Sequence, residues 1–141
     1  MKPPPSWVLD TNVLVSGLLN AHGFPGRLLD AILSGTLRIT YDDRIEGEYR
    51  EVIARAKFGI PAPLREAFLS ELKNQDAIAA AVWQGRKLPD PDDLPFLEVA
   101  RYATDRILVT GNARHYPAAS RGDVLIISPA QAWERLTRSA T

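Results

Sequence analysis

Four short strand-like runs constrain this chain most: Trp7-Val8-Leu9, Leu37-Arg38-Ile39-Thr40, Ile107-Leu108-Val109 and Val124-Leu125-Ile126-Ile127. Each is too short for a helix; the first, second and fourth lead into sequence with helical periodicity, and the third into a loop before the last strand. After the first run, Val13, Leu14, Leu18 and Leu19 recur at helical spacing up to a break at Gly23-Phe24-Pro25-Gly26. Leu28, Leu29, Ile32 and Leu33 then form one face of a second helix, stopped by Gly35. From Asp42 to about Arg55, with Asp42 or Asp43 as N-cap, the stripe Ile45, Tyr49, Val52 and Ile53 predicts a third.

Beyond Pro61 and Pro63 the pattern predicts a long helical stretch from Leu64 to about Trp83, as one helix or two. The loop from Leu88 to Asp93 opens a helix carrying Phe96, Leu97, Val99, Ala100 and Ala103, and the chain closes with a helix from Pro129 to about Leu136. Strands alternating with helical segments give an α/β fold with a mainly parallel sheet between helices. Ligands in such sheets sit at the carboxyl ends of the strands. Asp10 and Asn112 both follow strands directly, which places them at that edge.

The 141 residues, 45% of them hydrophobic, suit one compact domain over 1–141 and exclude intrinsic disorder. The absence of cysteine removes disulfides, zinc fingers, thiol nucleophiles and iron–sulfur clusters, so the chemistry must come from oxygen and nitrogen groups. Met1-Lys2-Pro3-Pro4-Pro5 runs straight into the first strand without a signal peptide, and no stretch of roughly 20 apolar residues could span a membrane; a cytoplasmic location is expected. Lys plus Arg and Asp plus Glu each number 17, and the zero net charge is unlike a basic nucleic-acid binder. A carboxylate site that binds divalent cations would bring its own positive charge to phosphate.

Carboxylates dominate the candidate chemistry. Asp10 ends an apolar strand, where it could equally be the N-cap of the next helix. Glu48 stands three residues after Ile45 and four before Val52, beside the buried stripe, where an unpaired carboxylate is costly unless it binds a partner or metal. Asp93 lies at a helix start on its inward face, with Asp90 and Asp92 just before it; a capping role or a solvated acidic loop are the rival readings. Three oxygen-rich segments meeting at one sheet edge suit Mg²⁺ or Mn²⁺. His22 and His115 fall in loops and are expected to be solvent-exposed bystanders.

At these residues the chain resembles the PIN (PilT N-terminal) domain family, in particular members that are toxin components of toxin–antitoxin pairs. The resemblance rests on Val8-Leu9-Asp10-Thr11-Asn12-Val13-Leu14-Val15-Ser16, Glu48-Tyr49-Arg50-Glu51-Val52-Ile53 through Phe58, Asp90-Pro91-Asp92-Asp93 through Ala100, and Val109-Thr110-Gly111-Asn112, with Ile127-Ser128-Pro129-Ala130 closing the chain. It implies a three-layer α/β/α sandwich whose acidic cleft holds one or two Mg²⁺ or Mn²⁺ ions and cleaves RNA to a 5′-phosphate and a 3′-hydroxyl. Asp10, Glu48 and Asp93 take the places of the first three acids. Many relatives carry a fourth acid where this chain has Asn112, which weakens a second metal position unless Asp90 or Asp92 supplies the charge. The resemblance also implies a homodimer and a separate antitoxin protein.

Thr11, Asn12, Ser16 and Thr110 are placed to orient ligands or water, or else simply to cap and turn. Arg44, Arg50, Arg55, Lys57 and Arg114 flank the acidic blocks and are the candidates for holding an RNA backbone. Two other readings remain. A haloacid-dehalogenase-like phosphatase also starts with a strand ending in Asp, but it needs a second Asp where Asn12 stands and a later Lys that has no counterpart here. A PIN-like module that binds RNA or protein without cutting is the other, favoured by the zero net charge and by Asn112.

Overall fold

The computed structural model describes residues 3–79 and 87–139. Its centre is a five-stranded sheet made of β1 (Ser6–Leu9), β2 (Arg38–Tyr41), β3 (Asp76–Ala77), β4 (Ile107–Val109) and β5 (Leu125–Ile127), in the order β3-β2-β1-β4-β5. Every pairing is parallel. β1 and β4 are buried along their whole lengths, as expected of central strands covered on both faces. The chain builds outward from β1 to β3, returns to lay β4 on the other side of β1, and then adds β5. The reversal puts a crevice between the carboxyl ends of β1 and β4.

Helices flank this sheet, giving the expected α/β/α arrangement. α1 (Thr11–Leu19) and α2 (Phe24–Ser34) pack against each other, and α6 (Pro129–Ser139) packs on α2. The α1–α2 contact is so close that a Cβ on Gly26 would lie 2.5 Å from the carbonyl oxygens of Asn20 and Ala21. α5 (Leu94–Ala100) lies across β1, β2 and β4, with α3 (Asp43–Ile53) beside it. Ile45, Tyr49 and Ile53 are the buried face of α3, and the Tyr49 hydroxyl donates to the Leu9 carbonyl at 2.5 Å.

Three expectations change. The segment Gly23-Phe24-Pro25-Gly26 is not a break but the start of α2, with Gly23 as cap and Pro25 in the first turn, where its missing N–H costs nothing. The helix expected over 64–83 is α4 (Ala62–Leu72); it ends early because Asp76 is drawn into the sheet edge as β3, paired with Thr40 and held by Arg38. Residues 80–83 of that expectation lie outside the described residues. α5 stops at Ala100 and continues only as a turn through Ala103. Among the described residues, no helix is long and apolar enough to cross a membrane.

Candidate active site

Asp10 extends β1 by one residue, its N–H donating to the Val109 carbonyl at 2.9 Å, and it also caps α1 through the Thr11 N–H at 2.8 Å. The capping role therefore holds, at the strand end where the sequence placed this residue. Its side chain is buried, and Oδ2 accepts from the Thr110 hydroxyl at 2.8 Å and the Tyr116 hydroxyl at 3.1 Å. The Asn12 amide adds a long 3.4 Å contact to the same oxygen. Burial raises the Asp10 pKa above the ordinary value, against the pull of the Thr110, Tyr116 and Thr11 hydrogen bonds.

Thr110 continues β4, donated to Ile127 at 3.0 Å, so Asp10 and Thr110 meet across the topological switch. Asn12 spans the same gap, its Oδ1 accepting from the Gly111 N–H at 3.0 Å. Glu48 projects from α3, half-buried, and accepts a hydrogen bond from the Thr11 hydroxyl. Burial raises its pKa, and Asp10, Asp92 and Glu51 raise it further against the Thr11 bond.

Asp93 ends a short 3₁₀ turn (Pro91–Asp93) capped by Asp90, whose Oδ1 accepts from the Asp92 N–H at 2.9 Å. Its pKa is pushed up to about 6, first by burial and then by Asp10, against the opposing pull of His115. Asp10 acts electrostatically on both Glu48 and Asp93, while Asp92 is exposed and Asp90 half-buried.

His115 is not the bystander the loop position suggested. Its Nδ1 lies 2.8 Å from Asp93 Oδ2, and its Nε2 lies 2.8 Å from the Asn112 side-chain nitrogen. The Nδ1 contact is close but poorly aligned, so Asp93 Oδ2 is a buried oxygen without a directed hydrogen bond. Sequence reasoning also missed Tyr116, wholly buried against Asp10 and kept protonated by that burial and by the Asp10 charge. The only signal was its place just after the Thr110-Gly111-Asn112 turn. Glu98, also buried, pairs with Arg44 at 2.5 Å.

The remaining candidates divide. Ser16 is exposed one turn beyond Asn12 on α1. Arg44 is bound to Asp42 and Glu98, Arg50 to Glu46 and Arg55 to Glu51, so these three are already engaged within the fold. Lys57 is exposed and lies over the Phe58 ring, 5.0 Å from its centroid; Arg114 is exposed beside His115.

Asp10, Glu48 and Asp93 offer hard oxygen donors, burdened by mutual repulsion, and one of them carries an unsatisfied buried acceptor. Among the described residues, no Lys or Arg forms an ion pair with them. That donor set fits a divalent cation in its chemistry. The shell is not closed, because among the described residues no three His, Asp or Glu side chains stand together as a coordination group.

A family model described as the PIN domain matches residues 6–114, from the first residue of β1 through Arg114. No curated protein and no solved structure matches the chain. PIN domains are generally nucleases and typically use divalent metal ions. The matched span covers most of the chain and contains Asp10, Glu48 and Asp93, and on that extent the protein belongs to the PIN domain family.

Proposed function

We propose that this protein is a Mg²⁺- or Mn²⁺-dependent endoribonuclease, acting as the toxin of a toxin–antitoxin pair. The observation that carries the reading is the cluster of unneutralised acids at the switch point, two of them buried, with Asp93 Oδ2 left without a directed donor. Asp10 and Asp93 would hold the cation, with Glu48 nearby and with Asp90 and Asp92 contributing negative charge. The bound cation supplies positive charge that lowers the pKa of a nearby water and offsets charge growing on the phosphate.

The protein's own groups do the rest. Thr110 and Tyr116 fix the Asp10 carboxylate from one side, and the Thr11 hydroxyl fixes Glu48. Glu48 is half-exposed with raised proton affinity, and it takes the proton from the attacking water. The water oxygen bonds to phosphorus, the bond from phosphorus to the 3′ oxygen breaks, and that oxygen takes a proton from solvent. The products are a 5′-phosphate and a 3′-hydroxyl. Lys57 and Arg114, both exposed, are the candidate side chains left to meet the RNA backbone. The partners that go with this reading are an RNA substrate, an antitoxin protein and a second copy of the chain, in the cytoplasm.

The unclosed shell favours a second reading, a module that binds RNA or protein without cutting. Incubation of wild type and Asp10→Asn with an unstructured RNA and Mn²⁺ separates the two. Cleavage by wild type that leaves 5′-phosphate ends and is lost in the variant supports the nuclease. RNA binding by both proteins without wild-type cleavage above the variant's overturns it.

A further inference from the structure

Tyr49 is wholly buried on α3, and its hydroxyl donates to the Leu9 carbonyl at 2.5 Å. Leu9 is the last residue of β1, directly before Asp10. A carbonyl only accepts, so the phenol must be the donor. Glu48 precedes Tyr49 and lies about 100° round the helix from it. It accepts from the hydroxyl of Thr11, the residue directly after Asp10. α3 is therefore tied to the end of β1 at two points that bracket Asp10. The Tyr49 ring meets Phe96 of α5 and Phe68 of α4, with centroids 6.4 and 5.8 Å away.

We propose that Tyr49 is a positioning residue whose hydroxyl sets the spacing of Glu48 from Asp10. The inference rests on the nuclease reading above and deepens it. Packing alone would be met by phenylalanine, which fills the same space and leaves no hydroxyl to satisfy in the core. The hydroxyl adds what apolar contact lacks, a preferred distance and angle. Without it α3 can slide against β1 and carry Glu48 with it, and a misplacement of about 1 Å at a reacting group costs on the order of a hundredfold in rate.

The test compares Tyr49→Phe, which keeps both ring contacts and loses only the hydroxyl, with Phe68→Leu, which loosens the same packing without touching the tie from α3 to β1. Both full-length variants are read at a temperature where they are folded. Carbon-13 NMR of the cation-free chain at a single pH reports the side-chain carboxyls of Asp10 and Glu48, and steady-state RNA cleavage with Mn²⁺ reports the reaction. In Tyr49→Phe the two carboxyl resonances should move, and kcat should fall about tenfold or more with KM within about twofold of wild type. In Phe68→Leu the melting temperature should fall while the resonances, kcat and KM stay as in wild type. Unmoved resonances in Tyr49→Phe, an unchanged kcat in an active enzyme, or equal changes in Phe68→Leu overturn the proposal. A wild type that does not cleave RNA overturns the nuclease reading instead, and the resonances alone then decide whether Tyr49 positions the two acids.

Discussion

At the amino end of the central strands, Asp76 accepts from the Ser6 hydroxyl at 2.8 Å and from Arg38 Nε at 3.1 Å, while the Ser6 N–H donates to Asp105 at 3.2 Å. At the carboxyl end of the same strands stand Asp10, Glu48 and Asp93, and among the described residues no Lys or Arg lies at ion-pair distance from them, His115 alone approaching Asp93. Arg38 and Ser6 lower the Asp76 pKa despite partial burial, whereas burial raises all three acids at the other end, and the Asp10 charge adds to this at Glu48 and Asp93. Acids that stabilise a fold find donors and cations within it. Acids that find donors but no Lys or Arg partner are paying stability for function. A wide groove of about 1160 Å³, lined in part by Trp7, Arg38, Asp105 and Trp133, opens at the amino end, yet Asp76 and Asp105 there are already engaged.

The largest effect expected from this contrast is on activity. Asp10→Asn keeps the strand and the cap geometry but removes a charge, and RNA cleavage should fall at least about a hundredfold, read as initial rates at saturating Mn²⁺. Asp76→Ala should do the reverse, losing about 1 kcal/mol in urea unfolding while the folded fraction cleaves at the wild-type rate. An Asp76 variant that folds normally but is inactive would erase the distinction between the two ends.

A smaller effect is the pH dependence of the cation-free protein. Asp93 holds its proton more tightly in the fold, at about 6, than its ordinary value of 3.8. Its contribution is therefore fully present below the unfolded value and is lost as pH rises through about 6. Between pH 4 and 6, the Tm of wild type should fall relative to Asp93→Asn by on the order of 2–4 °C, with some solvent screening allowed for. A flat difference would mean that the cluster is not under electrostatic strain.

The smallest effect sits just before β4. Arg106 has φ 52 and makes a surface ion pair with Asp123. Arg106→Gly relieves the left-handed strain and loses a pair of little net value, so the two nearly cancel and stability should rise by about 0.5 kcal/mol or less. Cleavage should be unchanged, which a parallel melt and rate assay would show.

β1 and β4 were legible because they are buried along their whole lengths and read as apolar runs, Trp7-Val8-Leu9 and Ile107-Leu108-Val109. β3 was not, since Asp76–Ala77 has no apolar signal and is placed by Arg38 and by pairing with Thr40. The acids were legible by position: Asp10 after a strand, Glu48 beside a stripe, Asp93 before an inward helix face. His115 and Tyr116 were not, because a loop has no period from which to infer direction, and only the return of the chain after Gly111 turns them onto Asp93 and Asp10. Glu98 left a trace, a lone charge within the apolar run Phe96-Leu97-Glu98-Val99-Ala100.

Calorimetric titration of Mn²⁺ into wild type, Asp10→Asn and Asp76→Ala tests the central claim most directly, because it asks which end of the sheet holds the cation. The account predicts saturable binding to wild type and Asp76→Ala and none to Asp10→Asn. Equal binding by wild type and Asp10→Asn, or its loss only in Asp76→Ala, would contradict it.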